Sequence, residues 1–210
     1  NVAILCDIFG RWLGLPEPER EVLVLAGLLH DIGKVQLSDE LIHKKEKLTE
    51  EELDEVKKHA LYSYRILDKQ KDLDPRIKMV ALLHHERCDG EGYPQKRRSY
   101  DIEYFAKIVA IADVYEAMTA ARKYRKKICP FEVVEMFEKE GLQKFDPELI
   151  LTFLEKIART QLNNVVRLNN GAQGEIVFVN RANLSRPMIK VEDSIIDLSD
   201  NPELRIVEVL

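Results

Sequence analysis

The chain has 210 residues, 45% of them hydrophobic and 33% charged, with a net charge of −5. That composition can bury a core. It excludes a disordered or collagen-like chain and lacks the basic excess of a protein dedicated to nucleic-acid polymers. The longest apolar runs, residues 22–29 and 108–112, are too short for a membrane span, and three scattered cysteines (Cys6, Cys88, Cys129) form no disulfide framework, which suits a reducing cytoplasm.

The chain opens inside a helical apolar pattern, Val2, Ile4, Leu5, Ile8, Phe9, Trp12 and Leu13, with no N-cap signal in front, and is read as part of something longer. A second helix follows the Pro16/Pro18 punctuation over residues 17–30. Thr49-Glu50-Glu51-Glu52 is a capping box predicted to open one helix reaching Lys69. Asp74-Pro75 and Asp146-Pro147 each place Asp at the N-cap and Pro at the first helical position. Residues 101–121 read as a long apolar-rich helix, and Pro130 starts another that Gly141 can end. After about Thr160 the period shortens to that of strands, at residues 165–168, 175–179, 188–191, 194–197 and 204–209, with Asn170-Gly171 and Gln173-Gly174 as turns. The expected architecture is mainly α: about seven helices over residues 1–159, then a small barrel-like all-β extension over 160–210.

All five histidines lie in the first 85 residues: His30, His43, His59, His84 and His85. His43 stands in a charged stretch and is expected in solvent. His30-Asp31 follows an apolar helix, where an imidazole and a carboxylate can both reach a cation, and the two carboxylate oxygens can bridge two cations. His59 is expected at the edge of the apolar face of the capped helix. His84-His85 ends a helix; adjacent side chains diverge by about 100° on an ideal helix, so they converge on one metal only where the helix loosens. Asp113 interrupts an apolar stretch, and a buried carboxylate there needs a partner or a metal. Imidazoles with carboxylates suit Mn, Fe, Co, Ni or Zn, and two such ions bridged by Asp31 and a water can supply hydroxide for attack on phosphorus. The basic runs Lys96-Arg97-Arg98 and residues 122–127 lie next to these candidates in sequence, as an anionic substrate would require.

His30-Asp31-Ile32-Gly33-Lys34, with His84-His85-Glu86-Arg87 leading through Asp89-Gly90-Glu91-Gly92-Tyr93-Pro94, strongly resembles the HD-GYP subgroup of HD-domain phosphohydrolases over residues 2–157. The resemblance implies an HD-domain helical bundle that hydrolyses the bacterial messenger cyclic di-GMP to the linear dinucleotide pGpG or to GMP. By position it assigns His30, Asp31, His59, His84, His85 and Asp113 as ligands of two divalent ions, or three, with Fe or Mn expected. Asp31 and Lys34 carry the catalytic assignment, Lys34 beside the attacking water and scissile phosphate. Arg122, Arg125 and the loop Gly92-Tyr93-Pro94 are assigned to substrate, and the same loop to a diguanylate cyclase-type partner domain.

The chain departs from the family pattern at Glu116 (usually Asp), at Lys123 (usually Pro) and in residues 95–100, which lack the usual glycine. The family pattern also has a histidine one turn before Asn1, so the full protein is expected to continue upstream and carry it. Competing expectations are a catalytically silent receptor for the dinucleotide or a partner, and a phosphohydrolase of another nucleotide such as cyclic GMP-AMP.

Overall fold

The computed structural model describes residues 1–120 and 128–210. The first of two compact units comprises Asn1–Val114 with Gln143–Asp146. It contains α1 (Val2–Trp12), α2 (Glu17–Leu29), the short α3 (Asp39–Ile42), α4 (Glu50–Lys57), α5 (His59–Leu67), α6 (Pro75–Leu83) and most of α7 (Tyr104–Thr119). Its core is made by Cys6 and Phe9 of α1, Leu23 and Ala26 of α2, Ile77 and Val80 to Leu83 of α6, and Phe105, Ala106 and Ile108 to Ala112 of α7. Each fully buried Leu, Ile or Phe contributes about 1.5–3 kcal/mol relative to exposure, so this apolar centre anchors the helices whose ends carry the histidines.

The second unit comprises Tyr115–Leu142 with Pro147–Leu210. Here α8 (Pro130–Met136), the short α9 (Leu142–Lys144, only partly in this unit) and α10 (Pro147–Thr160) precede five strands. These are β1 (Val165–Leu168), β2 (Gln173–Phe178), β3 (Met188–Val191), β4 (Ser194–Asp197) and β5 (Ile206–Val209). They form one antiparallel sheet in the order β4-β3-β2-β1-β5. Alternation sends Val166, Leu168, Ile176, Ile189 and Ile206 inward. The predicted mainly-α chain with a small C-terminal all-β part is therefore observed. Packing groups α8 and α10 with the sheet.

Several local expectations are corrected. The capping box forms, with Thr49 and Glu52 exchanging hydrogen bonds, but the helix it opens breaks at Lys58 rather than running to Lys69. The His59 ring takes the Val56 carbonyl, and the Lys58 amide donates to Glu55 in a tighter turn. His59 consequently starts α5 rather than riding mid-helix. Gly141 does not end a helix: α8 loosens into a π turn over Phe137–Gly141 and helix resumes at Leu142. Gln173-Gly174 is strand, not turn, because the reversal is already complete at Asn170–Ala172, where Asn170 Oδ1 accepts the Ala172 amide at 3.0 Å. The long helix begins at Tyr104 rather than Asp101, with the Glu103 carboxylate accepting the Ala106 amide at 2.9 Å.

One close approach positions the site. The turn of 3₁₀ helix at Ile32–Gln36 lies against α5, and its Gly33 amide donates to Ser63 Oγ at 2.8 Å. A Cβ on Gly33 would collide with the His59 carbonyl oxygen and the Ser63 amide. Gly33→Ala should therefore push Asp31 away from His59 and cost about 1–3 kcal/mol, the usual range for forced overpacking. Ser63→Ala strands a buried N–H and should cost about 1–3 kcal/mol. Urea unfolding followed by circular dichroism checks both; parent stability in both variants would refute this contact.

Candidate metal centre

Three histidines are oriented by one repeated device. His30 Nδ1 lies 2.8 Å from the Gly27 carbonyl, His59 Nδ1 lies 2.7 Å from Val56, and His84 Nδ1 lies 3.0 Å from Ala81. Each carbonyl belongs to the residue three positions earlier. A carbonyl only accepts, so Nδ1 carries a proton in each ring and Nε2 is the nitrogen left to face a cation. All three rings are buried, at 6%, 1% and 2% exposure. Two of them, His30 and His84, stand directly at the C-terminal ends of α2 and α6, where the helix dipole favours a cation.

The three Nε2 atoms converge on Asp31. Its Oδ1 lies 3.2 Å from His59 Nε2 and 3.7 Å from His84 Nε2, while Oδ2 lies 3.3 Å from His30 Nε2 and pairs with Lys34 Nζ. Asp113, on α7, faces the same side of His30, with Oδ1 at 3.7 Å from Nε2. Among the described residues, Asp31, His59, His84 and His85 bring one ligand atom each to within 4.8 Å of one another. His30 flanks that group through the second oxygen of Asp31, and Asp113 adjoins it through His30.

The donor set fits a cation on two independent grounds. His30 Nε2 and Asp31 Oδ1 are buried yet have no hydrogen-bond partner, an expensive arrangement unless something else satisfies them. The electrostatics also favour a ligating state. Asp31 loses solvation, but the imidazoles of His30, His59 and His84 around it hold its carboxyl far below the usual range. Burial pushes His84 and His85 down, so both rings are neutral near pH 7. His30 is the exception: burial opposes its charge, but the carboxylates of Asp113 and Asp31 outweigh that and raise it to about 9.

The remaining sequence candidates fall as follows. Lys34 is half-exposed on Asp31. Tyr93 stacks on His85, with centroids 4.6 Å apart and rings 27° from parallel, and is followed by a cis peptide to Pro94. Arg122 and Arg125 lie outside the described residues. His43 is exposed, as expected, 3.0 Å from the Asp39 carbonyl. Two residues went unassigned from sequence. Ser63 fixes Gly33, and its spacing of four from His59 on one helix face was the available signal. Glu86, 3% exposed, accepts the Gln95 amide at 2.6 Å and the Arg97 amide at 2.9 Å; nothing in its neighbourhood distinguishes it from a surface acid. No helix of the described residues is long and apolar enough to cross a membrane.

Residues 1–149 match the HD domain family, and this chain belongs to that family, in its HD-GYP subgroup. A cyclic di-GMP phosphodiesterase of Pseudomonas aeruginosa is 35% identical over 191 residues, 90% of this chain and 46% of its own length. A 3′3′-cGAMP-specific phosphodiesterase of Vibrio cholerae is 35% identical over 156 residues, 74% of this chain and 30% of its own length. An HDG"Y"P protein from Bdellovibrio bacteriovorus superposes with a TM-score of 0.60 at 22% identity, covering 72% of this chain and 48% of that one; at this identity the likeness concerns the fold. The chain spans half or less of the curated relatives it matches.

Cation binding must displace the His30 proton, because the ligating form is neutral. His30 titrates at about 9 without a cation, above its ordinary 6.5. It is charged at pH 7, and Mn²⁺ affinity should climb as pH rises toward 9. Calorimetry in buffers of different ionisation enthalpy should find a proton released per ion at pH 7.5, and His30→Ala should abolish that release. Release unchanged in the variant would refute the assignment.

Proposed function

We propose that this chain is the hydrolytic part of a metal-dependent cyclic dinucleotide phosphodiesterase acting on cyclic di-GMP. The observation that carries it is the Asp31 carboxylate, with one oxygen toward His59 and His84 and the other toward His30 and Lys34. That division suits two divalent ions bridged by one carboxylate. His59, His84 and His85 would hold one ion, and His30 and Asp113 the other. Imidazole and carboxylate donors suit Fe or Mn. When bound, such ions lower the pKa of water and neutralise charge on a phosphate.

The reaction opens a phosphodiester: a water oxygen bonds to phosphorus, the bond from phosphorus to the 3′ oxygen breaks, and that oxygen takes a proton. Lys34 holds an ammonium at the exposed side of Asp31, where it would stabilise charge growing on the phosphate oxygens. Asp31 would orient the ammonium as well as the ligand set. Arg122 and Arg125 would grip the remote phosphate and bases, with Gly92, Tyr93 and Pro94 bordering the site. The relatives named for cyclic di-GMP and for 3′3′-cGAMP make cyclic GMP-AMP the second substrate to test. Three free cysteines suit a cytoplasmic location, and a diguanylate cyclase-type partner meeting the Gly92–Pro94 loop belongs to the same proposal.

Lys34→Ala should lower kcat by about 10²–10³, the cost of removing one oriented charge donor, while bound metal stays at the parent level. Chromatography of cyclic di-GMP turnover and elemental analysis measure the two; metal lost in proportion to activity would make Lys34 structural. Arg122→Ala and Arg125→Ala should impair cyclic di-GMP hydrolysis more than that of a small phosphodiester, which has no remote groups to hold. Equal losses on both would remove these arginines from substrate recognition, and no turnover of either dinucleotide by the metal-loaded parent would reject the phosphodiesterase assignment.

A further inference from the structure

His85 lacks the device that orients the other three rings. Among the described residues, no backbone carbonyl or carboxylate is hydrogen-bonded to its imidazole. Its ring is instead enclosed by rings: Tyr93 stacked at 4.6 Å, His84 at 4.1 Å, and the edge of His59 at 5.0 Å. The histidines on two of those sides are themselves fixed by carbonyls. Tyr93 is the wall that comes from outside the ligand set.

The segment carrying Tyr93 is built to return to His85. The Tyr93 amide donates to the His85 carbonyl at 3.2 Å. Gly92 passes so close that a Cβ there would fall 2.6 Å from that same carbonyl oxygen and nearer still to the Arg87 amide. Beyond Pro94 the loop closes on Glu86, whose two carboxylate oxygens each accept a backbone N–H, one from Gln95 and one from Arg97. The far side is braced separately: the Arg87 guanidinium clasps Asp89, and Asp89 Oδ1 also accepts the Glu91 amide at 2.9 Å. A buried carboxylate spent entirely on two backbone amides holds the loop's position, and among the described residues the loop meets the ligand rings through the Tyr93 ring, stacked on His85 and edge-on to His59.

We propose that Glu86 and Tyr93 are positioning residues for His85: Glu86 closes the Gly92-Tyr93-Pro94 loop, and the Tyr93 ring fixes the His85 imidazole in the orientation that binds a cation. The proposal rests on the cation-binding part of the proposed function and not on any substrate. It gives the glycine, tyrosine and proline loop a task that precedes recognition of a nucleotide or partner. The stacking is a property of the ring, so the hydroxyl is dispensable to it.

The test is a double-mutant cycle on Mn²⁺ affinity, measured by calorimetry on the whole chain without nucleotide. Tyr93→Ala should weaken Mn²⁺ binding by about tenfold or more, the usual cost of removing a group that orients a ligand. Tyr93→Phe should stay within about twofold of the parent, since it keeps the ring. In a His85→Ala background the further change Tyr93→Ala should cost nothing, because the ring it served is gone. Glu86→Gln has one acceptor oxygen where two are needed, and should follow the same pattern; it addresses the loop from its other end if Tyr93→Ala unfolds. Losses that add in the His85→Ala background, Tyr93→Phe failing as badly as Tyr93→Ala, or a parent that binds no Mn²⁺ would each overturn the proposal. Coupled Mn²⁺ losses in a protein that hydrolyses no cyclic dinucleotide would sustain the clamp and reject the phosphodiesterase assignment.

Discussion

The Asp31 carboxylate is only 28% exposed and carries imidazoles against both of its oxygens. A buried anion costs several kcal/mol unless its surroundings compensate. Here the compensation comes from Lys34 on the solvent side and from His30, which carries a proton in the absence of a cation, while His59 and His84 turn their Nε2 atoms toward the same carboxylate. The C-terminal carbonyl ends of α2 and α6 add negative potential rather than relieving it. The charges therefore sum to a demand for cations, which the unpartnered His30 Nε2 and Asp31 Oδ1 express atom by atom.

Backbone geometry does the aiming. Three imidazoles tied to carbonyls three residues back need three local chain arrangements, and each has its own cause. α2 ends so that His30 faces Gly27; the break at Lys58 frees Val56 for His59; α6 ends so that His84 faces Ala81. Rings held this way lose little freedom on binding a cation, so less of the interaction energy is consumed in ordering them. The Gly33–Ser63 contact then sets the distance between the His30-Asp31 corner and His59, which are far apart in sequence. Packing elsewhere in the unit can vary so long as these ends stay in register.

Much of this was legible in the chain itself. The His-Asp and His-His pairs, the Asp among apolar residues on the long helix, the capping box and the switch from helical to strand period all correspond to what is observed. What escaped was a local pattern overridden by a contact, near or distant, that the spacing alone does not reveal. One unbroken helix from Thr49 to Lys69 fits the local pattern, yet the helix breaks at Lys58, where the His59 ring meets the Val56 carbonyl. Gly141 is an ordinary helix stop, yet the turn it occupies also presents Glu138 to the Leu184 amide and helix continues. Ser63 and Glu86 are polar residues of common type whose partners lie 30 and about 10 positions away. Sequence shows such residues but not what they meet.

The two adjacent histidines expose a conflict that the loop after them resolves. Side chains on neighbouring helical residues point about 100° apart, so a pair can share a site only past the end of a helix. α6 does end at Leu83, and the Glu86 amide donates to the Leu83 carbonyl, curling the chain into a tighter turn. That turn brings the His84 and His85 rings to within 4.1 Å of each other. It also takes His85 off the regular helix, and among the described residues no backbone carbonyl is hydrogen-bonded to its ring, whereas His84 keeps the Ala81 carbonyl. Convergence for the second histidine of the pair thus comes without the carbonyl that orients the other three rings. A wall has to be brought from elsewhere in the chain, close enough to need a glycine and flat enough to need an aromatic ring, and the segment Gly92-Tyr93 supplies both within eight residues of His85.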